Sequence, residues 1–343
     1  TFSHDGRQIM SASEDKTIRI WELASNNALR LLQGHTDQVK CCNFSPDDTQ
    51  AVSGSRDKTV RLWDIASGTC IKSFQGHTSY VESCAFSPDG KQLVSGGWDY
   101  TVRIWKVASG LCTVLRGHQS GVMYCSFNRD GKYVVSCSHD RTVRLWDASG
   151  KLEKVLYGPN DAVTCCMLTS NNETLIAGSA DNAIYIWNVR LETCQRPIKV
   201  SKEKKVSFGF SRDGKYAVLG FWCKKIQIWD VENAERIHLI EGLDSPIIAV
   251  AIYQSSNQRN FLVASGHYDG TVKCWSVSNS DLQLHWVSDQ QSLNLYGVQA
   301  VGALGLSLRN TEIIEQRNNQ LSSGSEMNQR NNREYQDFFS IFQ

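Results

Sequence analysis

Trp21, Trp63, Trp105, Trp146, Trp187, Trp229 and Trp275 stand 42, 42, 41, 41, 42 and 46 residues apart. A nearly constant period of that length marks stacked supersecondary units and excludes most other folds. Each tryptophan ends a short alternating run such as Thr59-Val60-Arg61-Leu62-Trp63. Its period of two and β-branched content predict a strand with a buried face. Upstream lies another run, as in Gln92-Leu93-Val94-Ser95, preceded by a polar turn such as Ser87-Pro88-Asp89-Gly90. Downstream come a turn and a further strand, as in Gly68 to Phe74, and the segment Val81 to Phe86 completes four strands per repeat. A four-stranded unit that is apolar on both faces must be covered by neighbours. Closing such units around an axis hides those faces and leaves only short edges.

Three stretches carry a further pattern: "GHTDQVKCCNFSPDD", "GHTSYVESCAFSPDG" and "GHQSGVMYCSFNRDG", each followed at fixed spacing by a serine, an aspartate and a tryptophan. The pattern resembles WD40 repeats over about residues 1 to 289. The resemblance implies an all-β fold: a seven-bladed β-propeller of four-stranded antiparallel blades, the first blade N-terminally truncated. It also implies a hydrogen-bonded tetrad in each of three blades: His35, Ser53, Asp57 and Trp63; His77, Ser95, Asp99 and Trp105; His118, Ser136, Asp140 and Trp146. The chemistry of the side chains agrees. An indole N–H only donates, a carboxylate accepts, imidazole does both and a hydroxyl completes the chain.

Serine, histidine and aspartate together also suggest a nucleophilic triad, but catalysis requires one activated nucleophile in one pocket with an oxyanion hole. Three equivalent sets at the repeat spacing point to a structural device, and histidines on separate blades cannot share a metal. The expectation is therefore a non-enzyme with no cofactor and no metal site. The pattern lapses elsewhere. Repeat 1 keeps Ser11, Asp15 and Trp21 without a Gly-His pair, because Thr1 falls inside a strand, and the chain reads as a piece of something longer. Repeat 5 has Ala177 for serine and Pro159 for histidine; repeat 6 has Leu219 and Cys223 for serine and aspartate; repeat 7 offers Gly242-Leu243 for Gly-His. Blades 5 to 7 are expected to rest mainly on packing, with weaker turns.

Lys plus Arg total 36 and Asp plus Glu 35, a formal net charge of +1, so nothing global draws the chain to nucleic acid or an anionic membrane. Its apolar runs fall short of the roughly 18 to 20 residues that cross a bilayer. Cys42, Cys84, Cys125 and Cys166, spaced 42, 41 and 41, hold one repeat position and read as small buried hydrophobes. Twelve cysteines without a C-x-x-C pair suit a reducing cytoplasmic or nuclear setting.

Partners are expected on loops held by the scaffold. In the resembled family the residue before the turn aspartate and those that begin the inner strand line the upper rim of the channel. Here these are Glu14, Arg56, Trp98, His139, Ala180, Trp222 and Tyr268, with Tyr80, Glu82 and Met123. Aromatics and arginine at a concave mouth supply binding hot spots; alternatively the rings cover neighbouring loops. Lys202, Lys204, Lys205, Lys224 and Lys225 are either a solvated run or a patch selecting acidic or phosphorylated segments. "LIAGSADNAIYIWNVR" resembles the box by which some WD40 proteins dock on the damage-binding adaptor of cullin-4 ubiquitin ligases, with Trp187 and Arg190 matching and Asn188 in place of its usual acid.

After residue 289 the period stops. Residues 290–317 read as a packing segment or linker, with helical potential from Leu306 to Gln316. "GALGLSLRN" within it resembles segments ending some NACHT- or NB-ARC-type signalling ATPases, which would make the propeller the sensor of a switch; the chain itself has no phosphate loop. Residues 318–343 are rich in Asn, Gln, Ser and Arg and are expected to be a disordered tail, ending in "YQDFFSIFQ", a candidate docking peptide. The best reading is a protein-interaction scaffold that presents its faces to other proteins or peptides.

Overall fold

Along the strand Val60–Asp64, Val60, Leu62 and Trp63 are buried and Arg61 is half-buried, so the strand meets apolar surface on both sides. The same burial recurs in Val102–Lys106 and Val143–Asp147. In the computed structural model each repeat accordingly becomes one antiparallel sheet, and the sheets are the seven blades of a β-propeller. The structure describes residues 1–288 apart from 25–27, 170, 196, 201–202, 204, 212, 255–260 and 278–281. Thr1–Ser288 form one compact unit. The helix expected from Leu306 to Gln316, the tail and its docking peptide lie outside the described residues.

Blade 3 shows the plan: an inner strand Val81–Phe86, then Gln92–Gly97, Val102–Lys106 and an outer strand Cys112–Leu115, each paired with the next. Two blades depart from it. Blade 1 has three strands, and its inner position is held by an isolated bridge between Phe2 and Ile9. Blade 5 has its outer strand in two pieces, Thr193–Cys194 and Ile198–Lys199. No helix occurs among the described residues, so none there is long and apolar enough to cross a membrane.

The core is divided among the joints between blades. Trp63 of blade 2 packs with Met10, Ile18, Ile20 and Leu32 of blade 1. Trp105 packs with Val52, Val60, Leu62 and Phe74 of blade 2, and the series continues around the ring. At the last joint Trp21, Phe2 and Ile9 of blade 1 meet Ala264, Val272 and Cys274 of blade 7. The rings of Phe2 and Tyr253 lie 5.8 Å apart there, and the Tyr253 hydroxyl donates to the His4 carbonyl at 3.4 Å. Seven blades therefore close the ring. Each large buried side chain contributes about 1.5–3 kcal/mol, which is why the period follows the tryptophans.

A bulge recurs between inner and second strands, at Val39/Cys41, Val81/Ser83, Val122/Tyr124, Val163/Cys165, Lys205/Ser207 and Ile247/Ala249. It strengthens the local twist at one end of each inner strand, next to the loop entering the blade.

Candidate functional site

In blades 2 to 4 the indole N–H of Trp63, Trp105 and Trp146 donates to Oγ of Ser53, Ser95 and Ser136, each at 2.8 Å. The serine proton is then left for Nε2 of His35, His77 and His118, at 2.7, 2.8 and 2.9 Å. With Nε2 accepting, the neutral imidazole carries its proton on Nδ1 and donates it to Asp57, Asp99 and Asp140, at 2.7, 2.8 and 2.7 Å. Each aspartate also accepts from the backbone N–H after the histidine and from the threonine two residues on. Burial raises the pKa of these carboxyls, but the hydrogen bonds from histidine, threonine and backbone outweigh it and hold all three well below the usual carboxylate range. Burial depresses His118, against the opposing pull of Asp140.

The three serines are 0 % exposed and both functions of each hydroxyl are used, so no substrate reaches them in this fold. The tetrads clamp the b–c turn, between the second and third strands, to the loop that enters the blade.

The other four blades meet the same need differently. Blade 1 bonds Trp21 to Ser11 at 2.9 Å, and Arg19 takes the place of the missing histidine on Asp15 at 2.9 Å. In blade 5 Trp187 donates to the Tyr157 carbonyl at 3.0 Å and the Tyr185 hydroxyl donates to Asp181. In blade 6 Trp229 donates to Oε1 of Gln227 at 2.9 Å. Blade 7 finds its own imidazole: His267, two residues after Ser265, bonds that serine at 2.9 Å, and Trp275 donates to the same Oγ at 3.3 Å. Polar bonds thus persist in blades 5 to 7, which were expected to rest mainly on packing. Sequence reasoning missed Arg19, Tyr185, Gln227 and His267. The first three occupy one position, two residues before the tryptophan.

The rim above these turns brings several expected residues together, within blade 3 and across neighbouring blades. The Arg56 guanidinium lies 5.2 Å from the Tyr80 ring centre. Trp98 donates from Nε1 to Glu82 at 2.8 Å and meets His139 edge-on at 5.1 Å. Trp98 is seated by glycine: a Cβ on Gly121 would come within 2.9 Å of its ring, and one on Gly97 within 2.4 Å of the Tyr80 carbonyl oxygen. Burial lowers the pKa of His139, partly offset by Asp161. Trp222 and Tyr268 meet edge-on at 5.6 Å across blades 6 and 7. Met123 is half-buried, Glu14 exposed and Ala180 half-buried. The rings therefore cover one another in part, yet Tyr80 and Tyr268 stay 40 % and 43 % exposed, and Tyr100 beside Asp99 is 48 % exposed.

The turn tips add a feature the sequence reading passed over. The residue after the turn aspartate, or after Cys223 in its place in blade 6, is left-handed in successive blades, including Lys16, Lys58, Arg141 and Lys224 at φ 72°, 68°, 67° and 66°. All four are exposed, and among the described residues none makes an ion pair. Lys225 by contrast sits between Glu203 and Glu241 at 3.1 Å from each. Lys205 begins the strand Lys205–Phe210, and Lys202 and Lys204 lie outside the described residues. Elsewhere, Trp187 is buried, while Arg190 is exposed and paired with Glu173 at 3.0 Å. Asn188 accepts the Arg190 and Leu191 N–H groups, the part Asp64 plays for Ser67.

Residues 80–298 match the family described as IFT122 first beta-propeller, and residues 1–22 and 26–64 match the WD domain, G-beta repeat. The chain belongs to the IFT122 first beta-propeller family. It is a WD40-repeat β-propeller, an architecture that generally serves protein interaction and not catalysis. No curated protein matches the chain. The segment that resembles NACHT- and NB-ARC-type ATPases, Gly302 to Asn310, lies outside the described residues. No group of three or more potential metal ligands occurs among the described residues.

Proposed function

We propose that the chain is a non-catalytic interaction scaffold whose upper face binds acidic or phosphorylated segments of other proteins. The observation that carries this reading is the set of unpaired turn-tip cations, Lys16, Lys58, Arg141 and Lys224, around a mouth that exposes Tyr80, Tyr100 and Tyr268. Exposed cations without an internal partner lose little on meeting a carboxylate or phosphate, and charge-assisted bonds are about twice as strong as neutral ones. Rigid aromatic rings add contact area at low entropic cost. The tetrads of blades 2 to 4 hold the turns that carry Lys58, Tyr100 and Arg141, so that part of the face is preorganised.

Replacing Lys16, Lys58, Arg141 and Lys224 by Glu is expected to abolish capture of an acidic phosphopeptide array, and replacing Tyr80, Trp98 and Tyr268 by Ala to weaken it at least tenfold. Unchanged capture by both variants would refute the reading. The lower turn of blade 5 supports a second reading. Arg190 projects there beside Leu191, which is 71 % exposed, as a dock for a ligase adaptor would require. Co-purification of the cullin-4 adaptor that is lost in Arg190→Ala is its test.

A further inference from the structure

The joint between blades 2 and 3 holds a pair of thiols that the repeat pattern hides. Cys41 lies on the inner strand Val39–Phe44 and Cys84 on the inner strand Val81–Phe86, with their sulfurs 3.1 Å apart. A disulfide needs about 2.05 Å, so roughly 1 Å of closure joins them. The neighbouring Cys42 is turned toward blade 1, where its sulfur faces the Met10 carbonyl at 3.7 Å, and is out of the pair. Cys41 is half-buried and Cys84 buried, both as free thiols.

We propose that Cys41 and Cys84 are an oxidation site, at which a hydroperoxide converts the two thiols to a disulfide that ties blade 2 to blade 3. Cys41, the less buried of the two residues, attacks as thiolate the distal oxygen of the peroxide. The O–O bond breaks, and the departing oxygen takes up the proton that Cys41 lost. The Cys84 sulfur then attacks the sulfur of the resulting sulfenic acid. The S–O bond breaks, and the leaving hydroxide takes the Cys84 proton to form water. Two thiols lose two electrons, and hydrogen peroxide is reduced to two waters. Burial pushes the Cys84 thiol well above its ordinary range, which fits a resolving partner and not the first to react. The tie lies in the same joint that Arg56 and Tyr80 bridge at the rim.

The test treats the full chain with hydrogen peroxide, blocks remaining thiols and maps the digest without reduction. The expected product is a peptide pair joined through Cys41 and Cys84, with a loss of two hydrogens, reversed by dithiothreitol. The link is expected to vanish in Cys41→Ser and to persist in Cys42→Ser. Should Cys84→Ser fail to fold, Cys41→Ser alone decides, because Cys41 is only half-buried. Oxidation confined to the exposed Cys70, Cys112, Cys194 and Cys223 overturns the proposal, as does a link through Cys42 or a Cys41 that proceeds to sulfinic acid unlinked.

Discussion

Blades 2 to 4 and blade 5 bury the same indole at the same place but satisfy it by different means. In blade 3, Asp99 accepts from His77, from the Thr78 N–H and from both the N–H and the hydroxyl of Thr101. In blade 5, Asp181 accepts from Tyr185 and the Asn160 N–H through one oxygen, and its other oxygen is buried without a hydrogen-bond partner. The buried indole N–H is the fixed requirement, and histidine, serine and aspartate are one solution to it among several. Where the histidine is absent, the residue two before the tryptophan changes its task. Arginine or tyrosine reaches the aspartate in blades 1 and 5, and glutamine serves the indole in blade 6. The propeller tolerates such exchange because its joints are held by the rings on the indole's apolar side.

The largest expected contrast comes from removing the turn carboxylate. Asp99→Ala leaves an imidazole, a hydroxyl and two N–H groups without their acceptor in a site whose side chains are 1 % and 3 % exposed. Its cost should exceed about 3 kcal/mol in urea denaturation of the full chain, at about 1–3 kcal/mol for each buried donor left unsatisfied. Asp181→Ala strands only two donors, the Tyr185 hydroxyl and the Asn160 N–H, and removes an oxygen that already lacks a partner, so it should cost less, about 1–3 kcal/mol. Equal losses would break the comparison.

Acid should act next. Burial depresses His118, His139 and His267 below their ordinary 6.5 in the folded chain, while the unfolded chain titrates near 6.5. Their contribution is therefore fully present above pH 6.5. It drains as pH falls through the folded values, by up to about 1.4 kcal/mol per pH unit for each group. Asp57, Asp99 and Asp140, held below their ordinary 3.8, keep their contribution above that pH and lose it only beneath. Stability that is flat from pH 7 to 5 would contradict the buried neutral imidazoles.

Amide exchange sharpens the comparison without mutation. The second and third strands of blades 2 to 4 should exchange about tenfold more slowly than those of blades 5 to 7, a difference near 1.4 kcal/mol. Uniform protection would mean that the substitute bonds hold as well as the tetrads.

Much of this architecture was legible from the chain, for a physical reason. The indole is large and must be buried, so its period marks blades. The tetrads combine residue types that are costly to bury apart, so their joint recurrence could be read. What escaped were the substitutes. His267 stands where Ser55, Ser138 and Ser179 stand in other blades, and Tyr185 and Gln227 stand where Arg61, Arg103 and Arg144 do. A residue out of keeping with its repeat position was the available signal, and it coincides with the loss of the Gly-His histidine. Lys16, Lys58 and Arg141 escaped because a single cation after a turn aspartate says nothing until the left-handed backbone sets it outward at one face.

The smallest effect expected is a gain. Thr17, Thr59, Thr101, Thr142 and Thr271 each donate a hydroxyl proton to the aspartate two residues before them, and blade 5 has Ala183 at that position. Ala183→Thr would offer the partnerless oxygen of Asp181 a donor from the position that supplies one in five other blades. The expected stabilisation is about 0.5–1.5 kcal/mol, the ordinary net worth of one hydrogen bond. The added methyl enters a buried site, and if the Tyr185 ring blocks it, overpacking costs about 1–3 kcal/mol instead. A rise in the urea midpoint at constant slope would show that blade 5 lacks a donor, whereas a fall would show that tyrosine has already rebuilt the site around a different bond.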